Sequence, residues 1–485
     1  MCKELLAYRR RKVTGTSWEI GVLLFWVLLL LNTSFSFAED GFDRYGGWEK
    51  LKGEANGFFH SENINGQWWL VTPEGNVFLS IGVNIVRFEG DYAPKLGFSP
   101  YQKNVSRKYR SEDEWQRETL RRLGTWGFNT IGSWSSRFKI PELNKPYVIQ
   151  LNLGSTGSTD WRKRSFPDVF NPEFEKKMYA GMASKCNGTF VSDPYLIGYL
   201  LDNEIFWGID IINKTASYQS GKTALINFLK QKYKGDFSTF ALVWNIKKAK
   251  SFDEIETILN EFQTMVRNKQ IKPILEGRPP AVDDVSEMLR FIANRFFSVT
   301  TQAIRSCDKN HLILGIRFLA ETPTVVVEEC GKFSDIISVN YYPVPDKSGN
   351  VQRYAAQSPS RKKLLGFVYP DNWLKDYYRI SGKPVLVTET SFRARGDGFP
   401  DDVMAMSSQK DRPEAFEWFL KNIAANPYIV GYHWFQYMDQ PKSGREDGER
   451  NNFGIVDIED NPYPLLVDRM KILNREAYTI HASGK

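Results

Sequence analysis

The chain is poor in the side chains that most often hold metals. Its 485 residues include four cysteines and four histidines, and none of these stand at metal-ligand spacing, so neither a metal nor another cofactor is expected. No glycine-rich phosphate loop follows any of the early strands, which argues against a doubly wound nucleotide-binding sheet. There is no repeat, coiled coil or low-complexity segment to support a structural or partner-binding role. Charge of one sign is not in large excess either. The formal net charge is +7, and it falls to +4 once Lys3, Arg9, Arg10, Arg11, Lys12, Glu4 and Glu19 are removed with the N-terminal segment described below, which is no signature of a nucleic-acid partner.

What is present begins with that segment. Arg9-Arg10-Arg11-Lys12 precedes an apolar run from Ile20 to Leu31, and Ser36-Phe37-Ala38 follows in a small-x-small arrangement. The pattern predicts a signal peptide over residues 1–38, cut after Ala38, and hence a secreted or periplasmic protein with no membrane contact after cleavage. The apolar run is short for a membrane span, an uncleaved anchor being the alternative. Cys2 leaves with this segment, so Cys186, Cys307 and Cys330 can form at most one disulfide; all three fall in or near predicted helices, where small buried hydrophobes are the common reading. Aromatic residues make up 14% of the chain, with 14 tryptophans, which suits either a carbohydrate-handling surface or a large core.

Hydrophobic runs then alternate with helical patterns. Gln67–Val71 and Asn76–Asn84 flank the turn Thr72-Pro73-Glu74-Gly75 and predict a hairpin running into a first barrel strand. Further strands are expected at Phe128–Gly132, Tyr147–Leu151, Leu196–Asn203, Leu312–Arg317, Asp335–Tyr342, Pro384–Glu389 and Ile429–Gln436. Helices are expected around Asp113–Trp126, from Asn171-Pro172 through Met182, over Val285–Cys307, and around Thr324–Cys330, Asp371–Ile380, Arg412–Ala425 and Leu465–Glu476. Helical pieces at Ala224–Tyr233 and Phe252–Val266 lie in a stretch too long for a simple connection. The expected fold is α/β, a (β/α)8 TIM barrel with a short N-terminal β-hairpin over 39–77, the barrel over 78–485, and a helical insertion after strand four at about 208–283.

In such a barrel the functional groups sit at the C-terminal ends of the strands. The stretch Leu200-Leu201-Asp202-Asn203-Glu204-Ile205-Phe206-Trp207 puts Glu204 beside apolar surface, where a carboxyl either finds a cation or has its pKa raised. Val385-Leu386-Val387-Thr388-Glu389 delivers a second glutamate at the end of strand seven. Two carboxyls facing each other across a barrel mouth suit glycoside hydrolysis, and a gap of about 5 Å implies retention. Glu204 would then be the acid/base and Glu389 the nucleophile. A salt-bridge partner or helix-cap neighbour is the plainer reading of either residue alone. Candidate substrate contacts at the other strand ends are Asn84, Asn203, Arg317, Asn340, Tyr342, His433, Gln436 and Asp439. Tyr342 can donate to Glu389, and Arg317 can pair with Glu389, Glu204 or a neighbouring Asp. Trp434, Trp207 and Trp134 are candidate sugar platforms, with core packing as the alternative for each. Lone His433 also suits a hydrogen-bonded structural role. The basic cluster Arg162-Lys163-Arg164 could meet a sulfate or lie on a solvated loop.

Several stretches carry a family resemblance: Trp68–Gly75, Gly198–Glu204, Phe228–Tyr233 with Trp244, Asp308–Arg317, Gly431–Pro441 and Asn452–Asp457. With the Asn203-Glu204 pair on strand four and Glu389 on strand seven, the chain resembles clan A of the glycoside hydrolases, and within it the family 50 β-agarases and, less closely, the family 42 β-galactosidases. The resemblance implies a β-agarase-like enzyme acting on a galactose-containing polysaccharide or oligosaccharide, and it places Arg445 and Glu449 in the wall of the substrate cleft. A β-galactosidase and a β-glucanase or β-mannanase of the same clan are the alternative enzymes, and a non-catalytic carbohydrate-binding barrel is the alternative of another class.

Overall fold

The structure is a computed structural model that describes residues 41–138, 143–154, 166–185, 190–244, 246, 249–254, 279–320, 322–345, 351–352, 363–364, 367–368, 372–401 and 405–484. The proposed signal peptide, Cys186 and Arg162-Lys163-Arg164 lie outside these residues. So does most of the helix expected over Phe252–Val266, which begins as one 3-10 turn at Phe252–Glu254.

The Thr72–Gly75 turn forms as its sequence requires, with Gly75 at φ +83°. It lies inside a sheet larger than the expected hairpin. Strands β1 (Trp48–Lys52), β2 (His60–Ile64), β3 (Gln67–Val71) and β4 (Asn76–Phe78) form an antiparallel sheet in the order β1-β4-β3-β2. Buried Asp43 ties its edge together, accepting from Thr72 Oγ1 and Asn76 Nδ2, each at 2.6 Å. At Leu79 the chain leaves this sheet and enters the barrel.

The barrel strands are β5 (Ser80–Val83), β6 (Thr130–Ile131), β7 (Tyr147–Gln150), β8 (Leu196–Leu200), β9 (Leu312–Ile313), β10 (Arg317–Phe318), β11 (Ile337–Asn340), β12 (Val385–Thr390) and β13 (Ile429–Trp434). Their order is β10-β11-β12-β13-β5-β6-β7-β8-β9 with every pairing parallel. The two ends of that row, β9 and β10, are successive pieces of one strand, so nine segments close an eight-stranded TIM-like barrel. The sequence pattern led to one strand over Leu312–Arg317. Gly315 interrupts it at φ +71°, where an added Cβ would sit 3.1 Å from Cys330 Sγ, and pairing to β8 continues through Leu314 N to Tyr199 O at 2.8 Å and Arg317 N to Asp202 O at 3.1 Å.

Helices cover the barrel. Ser99, followed by Pro100, caps α1 (Pro100–Lys108), a helix the sequence reading passed over. Ser111 caps α2 (Glu112–Thr125), whose first turn carries three acids, a favourable match to the helix dipole. Then come α3 (Pro172–Lys185), α4 (Ile209–Ser217), α5 (Gln219–Lys232), α6 (Phe237–Trp244), α7 (Pro279–Arg305), α8 (Thr324–Phe333), α9 (Trp373–Ser381), α10 (Arg412–Ala424) and α11 (Pro464–Ser483). Buried Asp284 on α7 anchors the helices that follow β8, accepting from Tyr233 OH at 2.5 Å and Trp244 Nε1 at 2.7 Å. Cys330 is a buried free thiol, whereas Cys307 is disulfide-bonded rather than a plain buried residue.

One buried carboxylate joins α1, α2 and the loop before α11. Asp460, with no exposed surface, accepts from Tyr101 at 2.9 Å, Tyr109 at 2.6 Å and Arg122 at 2.9 Å. Removing it takes one of two carboxylate partners from Arg122, which keeps Glu118 at 2.8 Å, and deprives two tyrosine hydroxyls of their acceptor, at a cost of about 2 kcal/mol. Asp460→Ala is expected to lower the thermal melting midpoint by several degrees, with Asp460→Asn losing less; equal midpoints for wild type and Asp460→Ala would show that the cluster contributes nothing.

Candidate active site

Glu204 is placed by an extension of β8. Leu201 N donates to Gly315 O at 2.9 Å and Glu204 N to Arg317 O at 3.1 Å, so strand pairing persists beyond Leu200. Between them, fully buried Asp202 accepts from Asn203 N at 2.8 Å and Gly154 N at 2.5 Å. These bonds hold Glu204 at φ +48°, a left-handed conformation unusual for a side chain of its kind. Glu389 sits in the last turn of the pleat of β12, in register with Asn340 on β11.

The two carboxyls meet different partners. Glu389 Oε1 pairs with Arg317 Nη2 at 2.8 Å, and its Oε2 accepts from Tyr342 OH at 2.5 Å. Glu204 Oε1 accepts from Asn340 Nδ2 at 2.8 Å, and the same amide reaches Asn203 Oδ1 at 3.1 Å. Burial, then the neighbouring charge of Glu389, push the Glu204 carboxyl up to about 7. Burial raises Glu389 as well, but the Arg317 guanidinium and the Tyr342 hydroxyl oppose that rise. The raised Glu204 carboxyl is thus suited to hold a proton near neutral pH, and Glu389 is the one of the two in direct contact with a cation.

Both glutamates line a cleft of about 740 Å³ together with Asn203, Asn340, Tyr342, Trp134, Arg445 and Glu449. Arg445 there pairs with Asp447 and Glu449, each at 2.8 Å. The other residues expected in the cleft lie behind its wall. Asn84 is fully buried and braces backbone, donating to Thr388 O at 2.9 Å and accepting from Ser133 N at 2.8 Å. Arg317 is fully buried and reaches Glu389 rather than open space. Trp207 is packed among Phe166, Phe296 and Phe297. Trp434 is no sugar platform: it has no exposed surface, packs on Phe392 and Phe416, and donates to Phe453 O at 2.8 Å. His433 bonds Ser80 Oγ at 2.9 Å, and burial and Arg317 push it down to about 3, so it is neutral and structural. Gln436 donates to Asp91 Oδ2 at 2.8 Å, holding a cleft residue without lining the cleft. Asp439 accepts from Tyr463 OH at 2.6 Å and Gly454 N at 2.8 Å.

The cleft wall also includes residues the sequence reading did not single out, among them Arg87, Asp91, Arg393 and the half-exposed Tyr92 and Phe206. Phe206 stood in the stretch that revealed Glu204, and its position two residues past the acid was the available signal. Among the described residues, no group of three or more His, Cys, Asp or Glu side chains could share a metal ion.

No protein-family model matches the chain. It is 28% identical, over an alignment of 520 positions, to β-agarase B of Vibrio sp. (strain JT0107), covering 90% of this chain and 50% of that one. The chain is similar in sequence to β-agarases over most of its length. β-Agarase A of the same strain is 25% identical over 496 residues, covering 87% of this chain and 46% of its own, so the chain spans about half the length of these two relatives. A solved exo-β-agarase superposes with a TM-score of 0.73 at 24% identity over 98% of this chain and 72% of its own. The agarase AgWH50C gives 0.72 at 23%, with the same coverage. A β-galactosidase from Marinomonas ef1 gives 0.54 at 12%, over 84% of this chain and 60% of its own. The solved structures establish the shared fold.

The site predicts a measurable titration. Carbon-13 NMR of labelled glutamate carboxyls, with Glu204→Gln to assign the signal, should find Glu204 titrating near 7. In Asn340→Ala its midpoint should rise, because the lost N–H stabilised the charged form. A midpoint in the ordinary carboxylate range would contradict the assignment of the proton to Glu204.

Proposed function

We propose that this protein is a secreted, retaining glycoside hydrolase that cleaves β-glycosidic bonds in a galactose-containing polysaccharide or oligosaccharide of the agarose type. The observation that carries the reading is the pair of glutamates in one cleft, one set to hold a proton and the other paired with a cation, in a chain similar to β-agarases. Its leader would be the 1–38 segment.

The reaction proposed is double displacement. Protonated Glu204 gives its proton to the glycosidic oxygen while the Glu389 carboxylate attacks the anomeric carbon, so the aglycone departs as a neutral alcohol. Glu204, now a carboxylate, takes a proton from water, whose oxygen bonds the anomeric carbon as the bond to Glu389 breaks. Arg317 and Tyr342 aim Glu389 and stabilise its charge when it is released. The Asn203 carbonyl is occupied by Asn340, which leaves its amide N–H groups to donate to a sugar hydroxyl, the 2-hydroxyl by resemblance. Arg445 and Glu449 offer a donor and an acceptor in the cleft lining.

The test is to incubate wild type and Glu389→Gln with agarose, porphyran, lactose-type and β-glucan oligosaccharides and to follow products by chromatography and their anomeric configuration by proton NMR. Wild type is expected to cleave the agar-type substrate with retention, Glu389→Gln to lose at least about a thousandfold in kcat, and kcat/KM to fall as pH rises through about 7, where Glu204 gives up its proton. Cleavage only of lactose-type or β-glucan substrates would overturn the agarose assignment, inverted product would overturn double displacement, and inactivity on all four would favour a carbohydrate-binding barrel.

A further inference from the structure

Arg317 has no exposed surface, and one of its nitrogens does most of its work. Nη2 makes both the ion pair to Glu389 and a 2.7 Å bond to Thr388 O. Its Nε and Nη1 have no acceptor among the described residues. A guanidinium ordinarily fixes its plane through several of its five N–H donors. Here the plane is covered instead by the indole of Trp134, whose ring centre lies 4.3 Å from Arg317 Cζ. Trp134 lines the cleft and Arg317 does not, so the indole stands between the cation and the cleft.

The backbone of Trp134 is held for this purpose. It adopts φ +57°, a conformation that a bulky residue keeps only where its surroundings enforce it. The buried amide of Asn84 supplies part of that enforcement, accepting from Ser133 N and donating to Thr388 O. It needs Gly132 beside it, since a Cβ there would lie 2.2 Å from Asn84 Oδ1. One side chain thus fixes both the turn that carries Trp134 and the carbonyl preceding Glu389. Phe435 meets the indole edge-on at 6.3 Å.

We infer that Trp134 is a positioning residue for Glu389 that acts through Arg317, its ring holding the guanidinium in place and keeping cleft water off it so that Nη2 stays on the carboxylate. The inference rests on the reading of Glu389 as nucleophile, and it gives Trp134 a task other than stacking on sugar. The charged and titratable groups facing Glu389 are Arg317 on β10, Tyr342 after β11, Glu204 after β8, and Arg445 and Glu449 on the loop after β13. His433 on β13 lies near Arg317 and stays neutral. Arg317 is the member of this set on which Trp134 stacks. Without the ring the guanidinium hydrates and tilts, its attraction for the carboxylate weakens, and Glu389 takes a proton at higher pH.

The test is the acid limb of kcat/KM against pH on agarose oligosaccharides, with circular dichroism to confirm folding. Trp134→Ala is expected to move that limb up by about half a pH unit or more, Trp134→Phe, which keeps a ring face, to leave it in place, and Arg317→Gln to move it up further. Trp134→Leu, bulky but without a π face, should behave as Trp134→Ala and replaces it where alanine does not fold. If Arg317→Gln moves the limb while Trp134→Ala and Trp134→Leu raise only KM, Trp134 is a sugar platform and the inference is overturned while the reading of Glu389 stands. If Arg317→Gln leaves the limb unmoved, both fall together.

Discussion

Two buried carboxyl groups in one cleft repel each other, and the site depends on how that repulsion is divided. Burial and the repulsion itself raise Glu204, and an unequal supply of positive charge and hydrogen-bond donors opposes the rise at Glu389. The chain provides that inequality through backbone placement. The Asn203–Arg317 bridge couples the strand that delivers Glu204 to the residue that pairs with Glu389. Asn340, the last residue of β11, and Tyr342, two positions on, each serve a different carboxyl. The barrel contributes by bringing the ends of β8, β10, β11 and β12 to one mouth.

Much of this was legible in the sequence. Apolar runs of five to eight residues marked the barrel strands, and the polar residues ending them marked both glutamates, Asn203, Asn340 and Tyr342. The unread parts share a cause: a strand end shows which residues leave the sheet, but not how far each lies above the barrel floor. His433, Trp434 and Gln436 read as cleft residues because their chemistry suits a sugar, yet on β13 and just beyond it they turn into packed layers beside Ser80, Phe416 and Asp91. The break at Gly315 was hidden because its neighbours are all apolar and the run scans as continuous. β1 and β2 carry short, charged sequences, Trp48-Glu49-Lys50-Leu51-Lys52 and His60-Ser61-Glu62-Asn63-Ile64, whose alternation is too weak to announce a strand without the partner that covers it.

Fold and sequence similarity carry different weight here. The barrel with its small antiparallel sheet superposes on solved agarases across nearly the whole chain, whereas the curated agarases are about twice as long as the matching region. Within Gly431–Pro441, one of the stretches that resemble agarases, Phe435 lines the cleft, whereas Gln436 holds Asp91 and Asp439 holds Tyr463 and Gly454 from behind it. A sequence match in such a stretch reports the scaffold that sets a cleft's shape as much as the groups that touch a ligand.

The left-handed backbone at Glu204, Ile85 and Trp134 bears on how this protein would respond to selection. At each of these positions glycine or asparagine fits the local dihedral angles better than the resident side chain, and at Glu204 either would also remove a buried carboxyl from the neighbourhood of another. A laboratory screen that rewarded heat tolerance alone would therefore favour changes at the mouth of the barrel, and the most robust descendants would be those furthest from their ancestor's chemistry.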